Sequence, residues 1–255
     1  MRFDDLDTRM RVFETNHDHC VLPGSYIVAR LDGRSFTSLT RNKHPFEAPY
    51  DTRFLDLMLE TTRHIMGCGF RAIYGYTQSD EISILFHPDE DSFSRKERKF
   101  ISILSGEASA KFSLGLGDMA AFDARLSLLP TVNRVVDYFR WRMEDAARNC
   151  LNGHCYWTLR KQGQTAENAT LALKGLSSPQ KHDLLFAAGT NFNDLPAWQK
   201  RGCGVYWQQI EKKGFDPHAN SETTTFRRIL KADFELPFHD AYGDFVRAFI
   251  EVQLA

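Results

Sequence analysis

The chain has 255 residues, 42% of them hydrophobic and 25% charged, with a formal net charge of −1. That is enough chain to bury a sizeable core without disulfides or structural metal. A near-zero net charge excludes a uniformly cationic nucleic-acid binder, so any nucleic acid would have to be met by local basic patches.

The start, MRFDDLDTRM, is charged and lacks the apolar core of a signal peptide, and no apolar run approaches the roughly 20 residues of a membrane span. The five cysteines are odd in number and form no C-x-x-C pair, which reads as free thiols in a reducing compartment, the cytoplasm. His17, His19 and Cys20 are close together, but their spacing matches no closed zinc site.

In chain order, residues 26–31 (YIVARL) predict a buried strand stopped by the turn Asp32-Gly33. Residues 53–66 predict a helix capped by Asp51, with Phe54, Leu57, Met58 and Ile65 inward and the Gly67/Gly69 pair at its end. Residues 71–77 and 81–86 predict two strands around the break Gln78-Ser79-Asp80-Glu81, a hairpin with acids at its tip. A helix over 95–112 follows, with Phe100, Ile103, Leu104 and Phe112 inward, then a strand over 122–128. The helix over 132–151 carries Val135, Val136, Phe139, Met143 and Cys150 at helical spacing. Ser178 and Pro179 read as the N-cap and first residue of another helix. Strands over 203–210 and 226–236 and a closing helix over 239–253 complete the chain.

Hairpins without a Gly-rich βαβ turn predict an α+β fold with an antiparallel sheet. We expect a palm-like region over 1–130 and a mostly helical region with added strands over 131–255, as one continuous globular unit. Trp141, Trp157, Trp198 and Trp207 lie in patterned segments and read as core residues. The clusters Arg95-Lys96-x-Arg98-Lys99, Lys200-Arg201 and Arg227-Arg228 with Lys231 are candidate nucleic-acid patches or, equally, solvated faces.

Two features carry chemistry: Asp32 at the end of an apolar strand, and Ser79-Asp80-Glu81 at a hairpin tip. If the strands are neighbours, two ionised carboxylates repel, and a divalent cation resolves that repulsion. Magnesium suits one or two carboxylates, with water and phosphate completing its shell. Two metals held by two acids on adjacent strands is the arrangement for in-line phosphoryl displacement. Gly33, without a Cβ, lets the backbone approach a metal or phosphate closely. The other reading is that both segments are ordinary turns. Walker, nucleophile-elbow and H-E-x-x-H motifs are absent from the sequence.

Blocks along the chain resemble the tRNA-histidine guanylyltransferase family. They are Arg30-Leu31-Asp32-Gly33-Arg34-x-Phe36, Gln78-Ser79-Asp80-Glu81, Lys99-Phe100, Phe122-Asp123-x-Arg125 and Asp137-Tyr138-x-x-Trp141-Arg142. Further on come Leu184-Leu185-Phe186, Asn191-x-Asn193-x-Leu195-Pro196, and Arg201-Gly202 ahead of Trp207-Gln208. The resemblance implies a polymerase-palm fold of ferredoxin-like type, working as a homotetramer on tRNA. It implies two Mg2+ ions held by Asp32, the Gly33 carbonyl and Asp80, with Glu81 in the same catalytic motif. It implies nucleotide binding by Gly33, Arg34, Ser35, Phe36, Thr37 and Ser79, with Lys96 and Lys99 where the family has basic residues for triphosphate or tRNA. ATP, GTP or other nucleoside triphosphates are the implied substrates: ATP activates the 5′ phosphate, and the 3′-hydroxyl of the incoming nucleotide then displaces AMP.

The sequence departs from the guanylyltransferases in two places. Their His-Ile-Asn-Asn segment is here Ala147-Arg148-Asn149-Cys150, a change that marks the guanylyltransferase-like branch, and Ala48 stands where they carry a lysine linked with activation. Lys43 is the candidate replacement. On this reading the enzyme repairs 5′-truncated tRNA by template-directed 3′-to-5′ addition, the alternative being a single guanylate added to tRNA-histidine. The hairpin lacks the Gly-Gly-Asp/Glu-Glu-Phe signature of a nucleotide cyclase, and two intact acids argue against an inactive RNA-binding module.

Overall fold

A computed structural model describes residues 2–216 and 221–254. Six strands form one antiparallel sheet in the order β4-β1-β3-β2-β5-β6. They are β1 (Tyr26–Gly33), β2 (Ala72–Gln78), β3 (Glu81–Phe86), β4 (Phe122–Leu129), β5 (Cys203–Asp216) and β6 (Ser221–Asp233). The helices are α1 (Phe3–Thr15), α2 (Phe36–Ser38), α3 (Thr52–Gly67), α4 (Glu97–Leu116), α5 (Val132–Lys161), α6 (Ala166–Leu173), α7 (Ser178–Ala187), α8 (Ala197–Arg201) and α9 (Asp240–Leu254). The first four strands with α3 and α4 make the expected βαββαβ palm, and the second half of the chain adds β5 and β6 to the same sheet.

Strand alternation distributes the core over two faces. Ile27, Ala29 and Leu31 of β1 and Ile82, Ile84 and Phe86 of β3 pack against α3 and α4, through Met58, Ile65, Phe100, Leu104 and Phe112. Val28 and Leu85 face the other way, onto Val135, Phe139 and Met143 of α5 and Tyr242, Val246 and Ile250 of α9. Ser83 tolerates burial on that second face because its hydroxyl pairs with the Tyr138 hydroxyl at 3.1 Å. A register shift between Ala72 and Tyr74 puts one extra residue into β2, so Tyr74 and Tyr76 join the α5/α9 side.

The caps explain where the helices begin. Asp51 caps α3 as expected, accepting from the Arg53 amide at 2.8 Å, and Thr131 caps α5. Gly117 ends α4 in the left-handed region at φ 75°. The cap of α7 is Ser177 and not Ser178, because Ser177 forms a capping box with Gln180 and leaves Ser178-Pro179 inside the first turn. Helix α5 continues to Lys161, ten residues past its expected end at Leu151, because Leu151, Cys155 and Leu159 find partners on α6 and α7. Helix α1, absent from the sequence reading, buries none of its residues.

Two further expectations change. Arg95 is a buried staple, donating to the carbonyls of Val21, Leu22, Ser25, Pro88 and Glu90, so it belongs to no solvated cluster. None of the four tryptophans lies in the buried core: Trp141 is exposed, while Trp157, Trp198 and Trp207 are half-buried.

Candidate active site

The register places Asp32 of β1 opposite Glu81 of β3 on one side and Asp123 of β4 on the other. Alternation turns Asp32 and Arg30 to the α5 side of the sheet. The β2–β3 turn is Ser79-Asp80, closed by the Gln78–Glu81 pair, with Ser79 at φ 49°. That turn docks on the end of β1: the Gly33 amide donates to the Asp80 carbonyl at 3.0 Å. The next amide, of Arg34, donates to the Ala121 carbonyl at 2.8 Å, so the backbone leaving β1 is held from both sides. Ser35 then takes φ 61°, a second left-handed non-glycine residue beside the acids.

Gly33 is required by a close approach. A Cβ there would stand 2.5 Å from Cγ of Phe36, whose ring is buried among Phe54, Phe112 and Phe122.

The three acids differ in how their charge is met. Asp32 accepts from Arg30 at 3.1 Å, with Arg125 at 3.8 Å. Glu81 is engaged by Arg30, by the buried Arg142 at 3.0 Å and by the Gln78 amide at 3.2 Å. It stands next to the pair but faces arginines, as the anion that balances Arg30 and Arg142. Asp80 has no cationic partner among the described residues. Burial raises its carboxyl above the usual carboxylate range. Its own amide and the Ser79 hydroxyl oppose that rise, and the charges of Asp32 and Glu81 add to it.

Among the described residues, no group of three or more His, Cys, Asp or Glu side chains is placed to hold a metal by itself. Asp32 and Asp80 instead form a sparse oxygen set with the Gly33 carbonyl adjacent. Such a set fits magnesium, which leaves much of its shell to water and phosphate. The uncompensated Asp80 is the feature a cation would satisfy.

Asp80 and Ser79 head a cleft of about 390 Å³, within the usual range for a small-molecule site. Phe36 and Thr37, the loop from Pro45 to Asp51, and Arg41, Trp157, Trp198 and Gln199 line it as well. Asp51 fixes that loop, accepting from the Glu47 amide at 2.7 Å as well as capping α3, and Arg53 holds its carboxyl well below the usual range. Arg41 lies 5.3 Å from the Trp157 ring centroid.

The segment predicted to bind nucleotide thus divides. Phe36, Thr37 and Ser79 line the cleft, whereas Arg34 and Ser35 line a separate hollow with Lys43. Lys96 and Lys99 are not brought to the acids. They lie at the start of the 20-residue α4, about 30 Å from its site end. There Lys96 is bound to Asp18 at 2.6 Å, and Lys99 lies 5.6 Å from the Phe93 ring. The sequence reading missed Arg41, Glu47, Tyr50, Trp157, Trp198 and Gln199. The abundance of aromatics and the departure from the family at Ala48, which lines the cleft, were the signals available, because these residues come from three segments that share no motif.

An antiparallel βαββαβ sheet bearing two acids at adjacent strand ends, one of them lining an aromatic cleft, is the architecture of a palm-type nucleotidyltransferase. The chain belongs to the tRNAHis guanylyltransferase family: the family model matches residues 7–131, and the model of the Thg1 C-terminal domain matches residues 133–234. The tRNA(His) guanylyltransferase of Schizosaccharomyces pombe is 34% identical over 210 residues, 76% of this chain and 80% of that protein. The enzyme of the same name from Neurospora crassa is 34% identical over 199 residues, 73% of this chain and 68% of that protein. A bacterial tRNA(His) guanylyltransferase (Thg1)-like protein in complex with GTP superposes with a TM-score of 0.76 at 26% identity, covering 97% of this chain and 99% of that one. An ATP complex of a protein so described has the same TM-score at 25% identity, covering 98% of this chain and 99% of that one. The Saccharomyces cerevisiae tRNA(His) guanylyltransferase gives 0.70 at 25% identity over 76% of this chain and 91% of that chain.

Proposed function

We propose that this protein adds a nucleotide to the 5′ end of a tRNA, and that the addition of guanylate to tRNAHis is its main reaction. The observation that carries the proposal is the cleft headed by Asp80, next to Asp32, in a chain that aligns almost end to end with bacterial relatives solved with GTP and with ATP. The names of the curated relatives favour guanylate addition over the template-directed repair expected from the sequence.

In the first step the tRNA 5′-monophosphate attacks the α-phosphate of ATP, pyrophosphate leaves, and the 5′ end is adenylylated. In the second the 3′-hydroxyl of GTP attacks the 5′ phosphate of that end and AMP leaves. Asp32 and Asp80, with the Gly33 carbonyl, would hold two Mg2+ ions, which when bound neutralise phosphate charge and make the hydroxyl more acidic. The rest is positioning. Arg30 braces Asp32 from within the sheet. The Gly33–Asp80 backbone bond keeps the two acids at a fixed separation. The aromatic residues of the cleft take the purine, and Thr37 and Ser79, which line the cleft with Asp80, meet the triphosphate.

The test is incubation of the purified protein with tRNAHis lacking its extra 5′ guanylate, with ATP, GTP and Mg2+. Extension by one guanylate, lost in Asp32→Ala and Asp80→Ala, is the expected result. No extension by a folded protein would overturn the proposal.

A second reading, template-directed repair, has a specific observation behind it. Cys150 of the variant segment is buried against the hydroxyl of the cleft residue Tyr50, and Arg148 and Asn149 are both turned onto Asp145. The segment therefore buttresses the cleft and offers few polar contacts to an unpaired product, which leaves base pairing as the source of selection. Changing the templating base of a 5′-truncated tRNA decides between the readings. Incorporation that follows the template supports repair, and guanylate added regardless supports the single addition.

We further propose a homotetramer in the cytoplasm. The exposed Phe3, Met10 and Phe13 on α1, a helix with no buried residue, support assembly, and sedimentation velocity tests it.

A further inference from the structure

We propose that Gln199, oriented by His154, reads the 6-position of the purine held in the cleft, and that this pair lets one site take both a 6-amino and a 6-oxo purine. The inference rests on the cleft being the nucleotide site proposed above.

Gln199 projects from the short helix α8 and lines the same cleft as Asp80. Its side-chain oxygen lies 2.9 Å from Nε2 of His154 on α5. His154 is stacked on Tyr50, with ring centroids 5.6 Å apart and planes 26° apart, and Tyr50 meets Trp198 edge to face at 5.6 Å. Tyr50 and Trp198 therefore supply flat apolar walls for a base, and Gln199 adds to the same lining a side-chain amide held by His154.

The chemistry follows from the amide. Gln offers a donor on one side and an acceptor on the other, and its partner fixes which is left for the ligand. His154 is half-buried, and burial holds its imidazole below the ordinary histidine range, so it is neutral and has one donor and one acceptor nitrogen. When Nε2–H donates to the Gln199 oxygen, the amide nitrogen faces the base and matches the O6 acceptor of guanine. When the imidazole is the other tautomer, the amide turns over, its nitrogen donates to Nε2, and its oxygen accepts from the N6 amino group of adenine. Both states keep the Gln199–His154 hydrogen bond. A reaction that consumes ATP in one step and GTP in the next is served by such a site.

The experiment measures binding of GTP, ATP and purine-riboside triphosphate, which lacks a 6-substituent, by quenching of tryptophan fluorescence, Trp157 and Trp198 being at the cleft. In the unmodified protein GTP and ATP should each bind about ten-fold more tightly than purine-riboside triphosphate, the value of one hydrogen bond to a half-buried group. Gln199→Met should abolish both advantages. Gln199→Glu, an acceptor only, should keep that of ATP and lose that of GTP. His154→Phe keeps the ring stack without its nitrogens and should reduce both, which separates positioning from packing. If Gln199→Met preserves the ranking of the three nucleotides, the inference is wrong while the nucleotide site stands. If none of the three binds the unmodified protein, the site itself is wrong and the inference falls with it.

Discussion

The backbone amide of Gly33 and the backbone carbonyl of Asp80, 3.0 Å apart, join the end of β1 to the tip of the β2–β3 hairpin. Through this one bond a residue that cannot carry a Cβ sets the position of an acid 47 residues further along the chain. Gly33→Ala is therefore expected to push the Phe36 ring, 2.5 Å from the new methyl, out of its aromatic cluster. The cost should be about 1–3 kcal/mol of stability, together with most of the activity. Denaturant melts would measure it, and Phe36→Leu in the same chain should recover part of the loss, because the two sites share one contact.

Asp80 should stabilise the metal-bound protein and destabilise the metal-free one. Its folded carboxyl titrates above the usual range, so the proton is favoured in the native state. The sign is then fixed: stability is greatest at pH below the unfolded titration range and is lost as pH rises through the raised value. Asp80→Asn removes that loss. Its melting midpoint in EDTA at neutral pH should exceed that of the unmodified protein by a few degrees, while nucleotide addition falls by two or more orders of magnitude. Magnesium should raise the midpoint of the unmodified protein and leave the variant unchanged. An unchanged or lower midpoint in EDTA would count against the burial argument.

Glu81 should behave differently from its neighbour. Its oxygens face Arg30 and Arg142, and the Arg142 side chain is only 3% exposed. Glu81→Gln leaves Arg30 with Asp32 and the buried Arg142 with Asp145 as their remaining carboxylates, at a cost of roughly 2–3 kcal/mol. Loss of activity in Glu81→Gln should come with a lower melting midpoint, the opposite of Asp80→Asn. Full stability with lost activity would assign Glu81 a direct part in the chemistry.

Trp198→Ala should weaken GTP and ATP alike, by roughly ten-fold, with little change in kcat, since stacking on an aromatic face ignores base identity. Titration of each nucleotide against the variant, with kcat from saturating turnover, measures this. Unchanged affinity would remove Trp198 from the binding wall.

The strands, the helices α3, α4 and most of α5, and the positions of both acids in the chain were legible from local pattern. Period-two alternation in β3 and helical spacing in α3, α4 and α5 follow from which side chains must be buried, and that pattern is local. Asp32 and Asp80 were legible because a carboxylate that ends an apolar strand is costly without a partner. What each acid faces depends on contacts between segments far apart in the chain. Glu81 and Asp80 are adjacent in sequence, but the turn at Ser79 leaves Asp80 without a cation and sends Glu81 beneath α5 to Arg142. The cleft was equally hidden. Phe36, Tyr50, Trp157 and Gln199 converge from separate segments, and the packing of α8 and of the loop before α3 against α5 makes them neighbours. Lys96 and Lys99 show the converse: the resemblance assigned them to triphosphate or tRNA, and the length of α4 carries them to the other end of the sheet from the acids.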